Sequence, residues 1–261
     1  MRISLLGSGR VAFHLAQALL AQGHNIVQVY ARDFDKTQKF AEKIQAKACQ
    51  SLQQFQPTDL IIMAVSDSAI AELAKQVHEL FPEILIVHTS GSTNIEVISH
   101  VHKKAGVFYP LQTFSFEREV DWSATPLFVE AIYKDDLALL SNLANSLSSR
   151  VYQYTSKQRL TLHLAAVFAC NFSNYCFDMA KQVTDEEQVD FSLLYPLIVE
   201  TAKKATENDP KQMQTGPAVR SDQNILAMHQ NLLAQAERDD LKQVYQLLSD
   251  GILQRHHSAS S

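Results

Sequence analysis

Residues 7–12 read Gly7-Ser8-Gly9-Arg10-Val11-Ala12, set between a short apolar run and an amphipathic stretch. Two glycines at this spacing, after a strand and at the mouth of a helix, suit a dinucleotide pyrophosphate. The first permits the tight turn, and the second leaves the backbone bare where phosphate oxygens approach. Ala12 stands where a third glycine would let helix and strand pack closely, and alanine serves there too. Ser8, Arg10 and Val11 complete a turn whose backbone N–H groups would hold the phosphates. The positive end of the helix, about half an elementary charge, adds to that hold. The rival reading is a strand–turn–helix junction that holds nothing.

The end of the next strand selects the dinucleotide. A ribose with free hydroxyls wants an acid there, whereas a 2′-phosphate wants an arginine. The chain reads Val29-Tyr30-Ala31-Arg32-Asp33, with Ala31 near the place of the acid and Arg32 directly after it. A guanidinium matches a phosphate in charge and in forked donor geometry, so the predicted cofactor is NADP. Asp33 could hold a ribose were the strand longer; it also suits the cap of the next helix. Two later strand ends should border the same ligand. Ala64, Val65 and Ser66 form one, and Ser90 and Gly91 the other, small residues that leave room for the nicotinamide ribose. Ser66 and Ser92 read as helix caps before they read as ligands. His88 is expected near the substrate.

Residues that could react fall in three polar clusters. Tyr109-Pro110-Leu111-Gln112-Thr113 sits where a strand meets a loop, and Pro110 there predicts a turn or a cis bond. His163, Asn171, Asn174 and Asp178 follow at intervals of 8, 3 and 4 residues, on one face of an otherwise apolar helix. Thr215 to Asp222 is a loop that ends in a helix cap and carries Arg220. A histidine with an asparagine above it can donate hydrogen bonds to a carbonyl or pass a proton during hydride transfer. The same pair can equally be a satisfied core histidine beside helix–helix hydrogen bonds. Gln112 and Arg220 are candidate substrate contacts, Arg220 for a carboxylate, although it can also pair with Asp222.

The elements that must position these groups are legible as periodicity. Near-continuous apolar runs at 2–7, 25–31, 59–65 and 84–90 read as strands covered on both faces, with further strands at 106–112, 126–132 and 150–155. Helical patterns at 11–22, 35–47, 68–80 and 135–149 alternate with them, the signature of βαβ units. Thr93 and Glu96 have capping-box spacing, which predicts a helix after Ser92. From about 157 only helices follow. The stretch LTLHLAAVFACNFSNYCFDMAKQV is apolar nearly all round and implies burial in a core or a subunit interface. Further helices are expected near 190–207, 222–236 and 239–253. The fold class is thus α/β: a Rossmann-like, mostly parallel sheet domain over 1–155, then an all-α domain over 156–261.

Bulk composition narrows the partners. A net charge of −5 with no basic run argues against nucleic acid or an anionic membrane as the main partner. No window has the roughly 18 apolar residues of a bilayer span, and no leader precedes the first strand, so a soluble, cytoplasmic protein is expected. Cys49, Cys170 and Cys176 lack metal or redox spacing and read as reduced, mostly buried thiols. No metal site is predicted. The tail RHHSASS reads as frayed.

Taken together, GSGRVA (7–12), YARD (30–33), HTSGS (88–92), YPLQTF (109–114), HLAAVFACNF (163–172) and TGPAVRSD (215–222) make the chain resemble one family over nearly its whole length. It is similar to the Rossmann-like proteins with a C-terminal DUF2520 domain, a group assigned as NADP oxidoreductases. Their wider class includes 6-phosphogluconate dehydrogenase, β-hydroxyacid dehydrogenases and pyrroline-5-carboxylate reductase. The resemblance implies an NADP(H)-binding first domain, a helical domain that forms a homodimer, and an active site in the cleft between the domains. β-Hydroxyacid dehydrogenases place a lysine one helical turn before an asparagine on the first long helix of the second domain. Here Val167 stands at that place before Asn171, and His163 lies one turn earlier still.

Two functions are therefore expected to compete. One is an oxidoreductase moving a hydride to or from a small carbonyl, hydroxy acid or imine, with His163 as proton donor and Asn171 orienting the substrate. The other is a non-catalytic NADP(H)-binding sensor or complex subunit, consistent with the missing lysine.

Overall fold

The computed structural model describes residues 1–257. The chain divides into two compact units, Met1–Ala169 and the residues from Cys170 onward. The division falls later than position 155 because the first helix of the expected second domain is tied to the sheet by a buried ion pair.

The first unit is built on one eight-stranded sheet, in the order β3-β2-β1-β4-β5-β6-β7-β8. Its elements are β1 (Arg2–Leu6), α1 (Arg10–Ala21), β2 (Asn25–Tyr30), α2 (Phe34–Lys43), β3 (Lys47–Cys49), β4 (Leu60–Met63), α3 (Asp67–Leu80), β5 (Leu85–His88), α4 (Glu96–Ser99), β6 (Ala105–Pro110), β7 (Leu127–Ala131), α5 (Lys134–Leu147), β8 (Val151–Gln153) and α6 (Ser156–Ala166). β7 runs antiparallel to β6, and every other neighbouring pair is parallel. Every residue of β4, β5 and β6 is buried, as unbroken apolar runs require once helices cover both faces. α1 supplies one cover through Ala12, Leu15, Ala16 and Leu19, spaced three and four apart along one stripe. Each such buried leucine stabilises the fold by about 1.5–3 kcal/mol. Strand order reverses at β1, which lies between β2 and β4, and in open sheets of this kind ligands sit outside the strand ends at that point.

The second unit is helical: α7 (Ser173–Glu186), α8 (Tyr195–Glu207), α9 (Gln223–Gln235) and α10 (Asp239–His257). Val167–Phe172 is a π-helical stretch between α6 and α7. Counting a face at 3, 4 and 8 residues presumes an unbroken α-helix and fails across it.

Several expectations change. β3, Lys47–Cys49, was not predicted and begins on the last residue of the predicted helix 35–47, because three residues pairing only with β2 leave no periodic signature. The helix after Ser92 shrinks to Glu96–Ser99, and Asn94 Oδ1 rather than a capping box accepts the Glu96 N–H at 2.9 Å. Pro110 ends β6 opposite Leu127, and no described peptide bond is cis. Of the three free thiols only Cys49 is buried. The apolar helix is not a core helix of the chain, since Leu164 and Phe168 are 56% and 63% exposed. Arg255–His257 continue α10, with His257 Nε2 at 2.7 Å from the Val219 carbonyl, and the rest of the tail lies outside the described residues.

Candidate functional site

The glycine turn meets the first requirement of a phosphate cradle. Gly7 has φ +113°, and a Cβ there would collide with the Ala64 carbonyl, so only glycine lets β1 and β4 approach as they do. Its N–H donates to the Tyr30 carbonyl at 2.8 Å. Gly9 differs: it is the N-cap of α1, its φ is ordinary, and a Cβ there would meet nothing within 4 Å. That side chain would project into open space beside helix amides that no side chain caps. Bare N–H groups and free space above them are what an anion needs.

A cavity of about 960 Å³ opens over this turn. At one end lie Ala31, Arg32, Asp33 and Lys36. Asp33 caps α2, with Oδ1 accepting the Lys36 N–H at 3.1 Å and Oδ2 3.2 Å from Lys36 Nζ. These two donors hold the Asp33 carboxyl below the usual carboxylate range. Its carboxylate is thus engaged in the cap and with Lys36, β2 having ended at Tyr30, and Arg32 leaves this end with a net positive charge.

The other end is walled by Thr89, Ser90, Gly91, Tyr109, Pro110, Gln112, Phe114 and His163. Ser90 Oγ accepts the N–H groups of Ser92 (3.1 Å) and Thr93 (2.9 Å), which folds the loop after β5. Arg159, four residues before His163, is 1% exposed and reaches into that loop. Its Nε donates to the Ser90 carbonyl at 3.2 Å, its Nη2 to the Thr93 carbonyl, and its Nη1 lies 2.6 Å from Glu130 Oε2. Tyr109, at the end of β6, places its hydroxyl 3.4 Å from His163 Nδ1. His88 is fully buried behind this wall: Nδ1 accepts the Ser90 N–H at 3.1 Å, and Nε2 has no partner. Burial first, then the Arg159 charge, push its pKa down to about 3, so the ring stays neutral.

Comparison with known proteins agrees with this geometry. Residues 2–91 match the family model described as NADP oxidoreductase coenzyme F420-dependent, and residues 125–252 match the domain of unknown function DUF2520. A Bacteroides fragilis protein assigned as an NADP oxidoreductase is 42% identical, with 97% of this chain and 98% of that one covered and a TM-score of 0.91. The chain belongs to the NADP oxidoreductases with a DUF2520 domain. An imine reductase of Streptomyces aurantiacus (10% identity, coverage 97% and 96%, TM-score 0.67) shares the fold. So does a pyrroline-5-carboxylate reductase of Coxiella burnetii (16%, 97% and 96%, 0.54). Comparison with functionally curated proteins gives no match.

As an NADP oxidoreductase the protein binds NADP(H), and the residues present fit that cofactor: a bare Gly9, uncapped α1 amides, and Arg32 and Lys36 at one end of the same cavity. Gly7, Ser8, Gly9, Arg10, Val11, Ala31, Arg32, Ala64, Val65, Ser66, Ser90 and Gly91 all line the one cavity, as do Gln112 and His163. His88 does not line it; its expected substrate contact is corrected to support of the Ser90 amide, because the ring is enclosed on all sides. The Ser90 hydroxyl is engaged in its own turn. Asn171 and Arg220 belong to the second unit, where both are exposed. Among the described residues no cluster could hold a metal, and no helix is long and apolar enough to cross a membrane.

Sequence reasoning did not single out Lys36 and Tyr109 as lining this cavity, nor Arg159 as holding the loop beside it. Lys36 was discoverable as the third residue after the Asp33 cap, whose side chain turns back over the helix start. Arg159 lies one turn from His163, on the same face of α6. Tyr109 had no signal beyond its place in a polar cluster.

Proposed function

We propose that this oxidoreductase transfers a hydride to or from a small carbonyl, hydroxy acid or imine compound, with His163 as the proton donor in the reducing direction. The observation that carries the reading is that the phosphate turn, the Arg32–Lys36 pair and a half-buried histidine border a single cavity. Bound NADPH supplies the hydride that reaches the substrate carbon. As the C=O or C=N electron pair collects on oxygen or nitrogen, His163 gives that atom its proton and is reprotonated from solvent. The small side chains of Ala64, Val65 and Gly91 leave room for the nicotinamide end, and Gln112 is a polar contact for the substrate. Asn171, as an orienting amide, and Arg220, as a carboxylate partner, stay in the proposal on their chemistry alone.

The reading is tested by following NADPH oxidation across a panel of small ketones, keto acids and cyclic imines. A turned-over compound is expected, with His163→Ala lowering kcat about 10²- to 10⁴-fold while NADPH binding persists. No turnover anywhere on the panel, with NADPH bound normally, favours the non-catalytic NADP(H)-binding alternative.

A homodimer through the helical unit is part of the proposal. Phe172, Tyr195, Leu197, Val199 and Leu247 are 49% to 72% exposed, while the apolar residues buried in that unit, among those described, are Ala218, Leu226 and Leu241. A unit with so little core of its own needs a covering surface, and an identical copy supplies one. Sedimentation of the wild type as a dimer, and of Leu197→Asp as a monomer, is expected. The cytoplasm fits free thiols and a cytosolic cofactor, and localisation of a tagged full chain tests it.

A further inference from the structure

We propose that Tyr109 and Gly91 act on the reaction through His163, the tyrosine hydroxyl donating to Nδ1 so that Nε2 carries the proton that faces the cavity. The proposal rests on the reading of His163 as proton donor. Neutral imidazole has one donor and one acceptor nitrogen, and the partner of one nitrogen decides the role of the other. The Tyr109 hydroxyl lies 3.4 Å from Nδ1, with the rings edge to face at 6.4 Å and 72°. The bond is long, as bonds between catalytic groups are before a complex tightens them. Tyr109 is the more enclosed of the two, 9% exposed at the end of β6, and burial raises its pKa against the opposing charge of Arg159. Its hydroxyl therefore stays protonated at neutral pH and available as a donor. His163 is the half-buried partner, and its second nitrogen is the one left for substrate.

Gly91 makes this arrangement possible. A Cβ there would fall 2.7 Å from His163 Nδ1, 2.7 Å from Tyr109 Cζ and 2.8 Å from its hydroxyl. Real Cβ contacts do not come so close, so any side chain would wedge the pair apart. The φ of Gly91 is not in the left-handed region, so the requirement is for room, not for backbone freedom. Arg159 holds the two sides together. One turn before His163 on α6, it binds the carbonyls of Ser90 and Thr93 on either side of Gly91. As Nε2 gives its proton to the substrate atom, the Tyr109 hydroxyl passes its own to Nδ1, so the ring stays a neutral imidazole and the phenolate is reprotonated from solvent. Tyr109 thus positions and resupplies the proton that His163 delivers, and Gly91 gives the pair its room.

The deciding experiment is long-range proton–nitrogen NMR on the full chain, with the His163 signals assigned by their loss in His163→Asn. In the wild type the proton is expected on Nε2; in Tyr109→Phe the population shifts toward the Nδ1-protonated form, and Gly91→Ala gives a similar shift. A wild-type proton on Nδ1, or the same tautomer in wild type and Tyr109→Phe, overturns the proposal without reference to any substrate. With a compound that the wild type reduces, Tyr109→Phe is expected to lower kcat on the order of ten- to a hundredfold, the range for partners that orient a ligating histidine. KM and NADPH affinity should not change. A tautomer shift with full turnover overturns the catalytic part. Full turnover in His163→Ala instead removes the proton-donor reading, while the NMR result still decides the pair.

Discussion

Arg159 on α6 and Glu130 on β7 face each other at 2.6 Å, Nη1 to Oε2, with the arginine 1% and the glutamate 19% exposed. The same carboxylate accepts the Ser156 N–H at 3.0 Å and its hydroxyl at 2.7 Å, so one side chain anchors the first turn of α6 and neutralises the cation beneath it. A guanidinium so deeply placed cannot lose its partner cheaply. Glu130→Gln is expected to destabilise the protein by about 3–5 kcal/mol, because it leaves a buried charge uncompensated. The double replacement Arg159→Met with Glu130→Leu should recover part of that loss and not all, since Ser156 then lacks its acceptor. Urea unfolding of Arg159→Met, Glu130→Leu and the double variant measures the coupling. Additive losses would show that the pair contributes no more than its separate contacts.

The two glycines of the turn should fail in different ways. Gly7→Ala places a methyl group against the Ala64 carbonyl at a φ that L-residues avoid, so it should cost about 1–3 kcal/mol or more of fold stability. Gly9→Val points into open space, so its melting temperature should stay near that of the wild type while NADPH binding is lost. Thermal unfolding and a fluorescence titration on both variants decide the matter. Tight NADPH binding by Gly9→Val would move the phosphates elsewhere.

The sequence carried the sheet clearly wherever a strand was long and covered on both faces. β1, β4 and β5 announce themselves as unbroken apolar runs, and α1 as a stripe spaced three and four apart. β3 did not, because three residues at a sheet edge have no period to read. That Gly7, Gly9 and Arg32 border one cavity was legible because each is placed locally: Gly7 through φ, Gly9 at the start of α1, Arg32 just past a strand end. The wall around Gly91 was not, because it depends on contacts between distant segments. Tyr109 meets His163 across 54 residues, and Arg159 meets Ser90 across 69. His88 shows the same limit from the other side: a polar residue at a strand end reads as a ligand until the wall in front of it is known.

Arg32 and Lys36 border the same end of the cavity, and if the 2′-phosphate binds there they divide its recognition. A charge-assisted hydrogen bond contributes about 1.5–3 kcal/mol, so Arg32→Ala should weaken NADPH binding roughly 10- to 150-fold and leave NADH nearly unchanged. Lys36→Ala should act in the same direction with a smaller effect, since a compact ammonium offers no fork. Asp33→Asn keeps an acceptor for the cap and should alter neither affinity much. Titrating all three variants with both cofactors checks this. A loss of NADH affinity in Asp33→Asn would return the ribose to Asp33.

His88 predicts how stability depends on pH. Its pKa falls from the ordinary 6.5 to about 3 in the folded protein, through burial first and the Arg159 charge second. The folded state therefore holds the neutral ring, while the unfolded chain takes up a proton below pH 6.5. Between those two values the unfolded state binds more protons, so stability falls as pH falls; above 6.5 this histidine contributes no slope. The limiting slope for one such group is about 1.4 kcal/mol per pH unit. In His88→Asn the amide oxygen can stand in for Nδ1 as acceptor of the Ser90 N–H, and nothing remains to titrate. Urea midpoints measured from neutral pH down to about 4 should drop less steeply for this variant than for the wild type. Parallel curves would mean that His88 takes up its proton without disturbing the fold, and that the unpartnered Nε2 has found an acceptor after all.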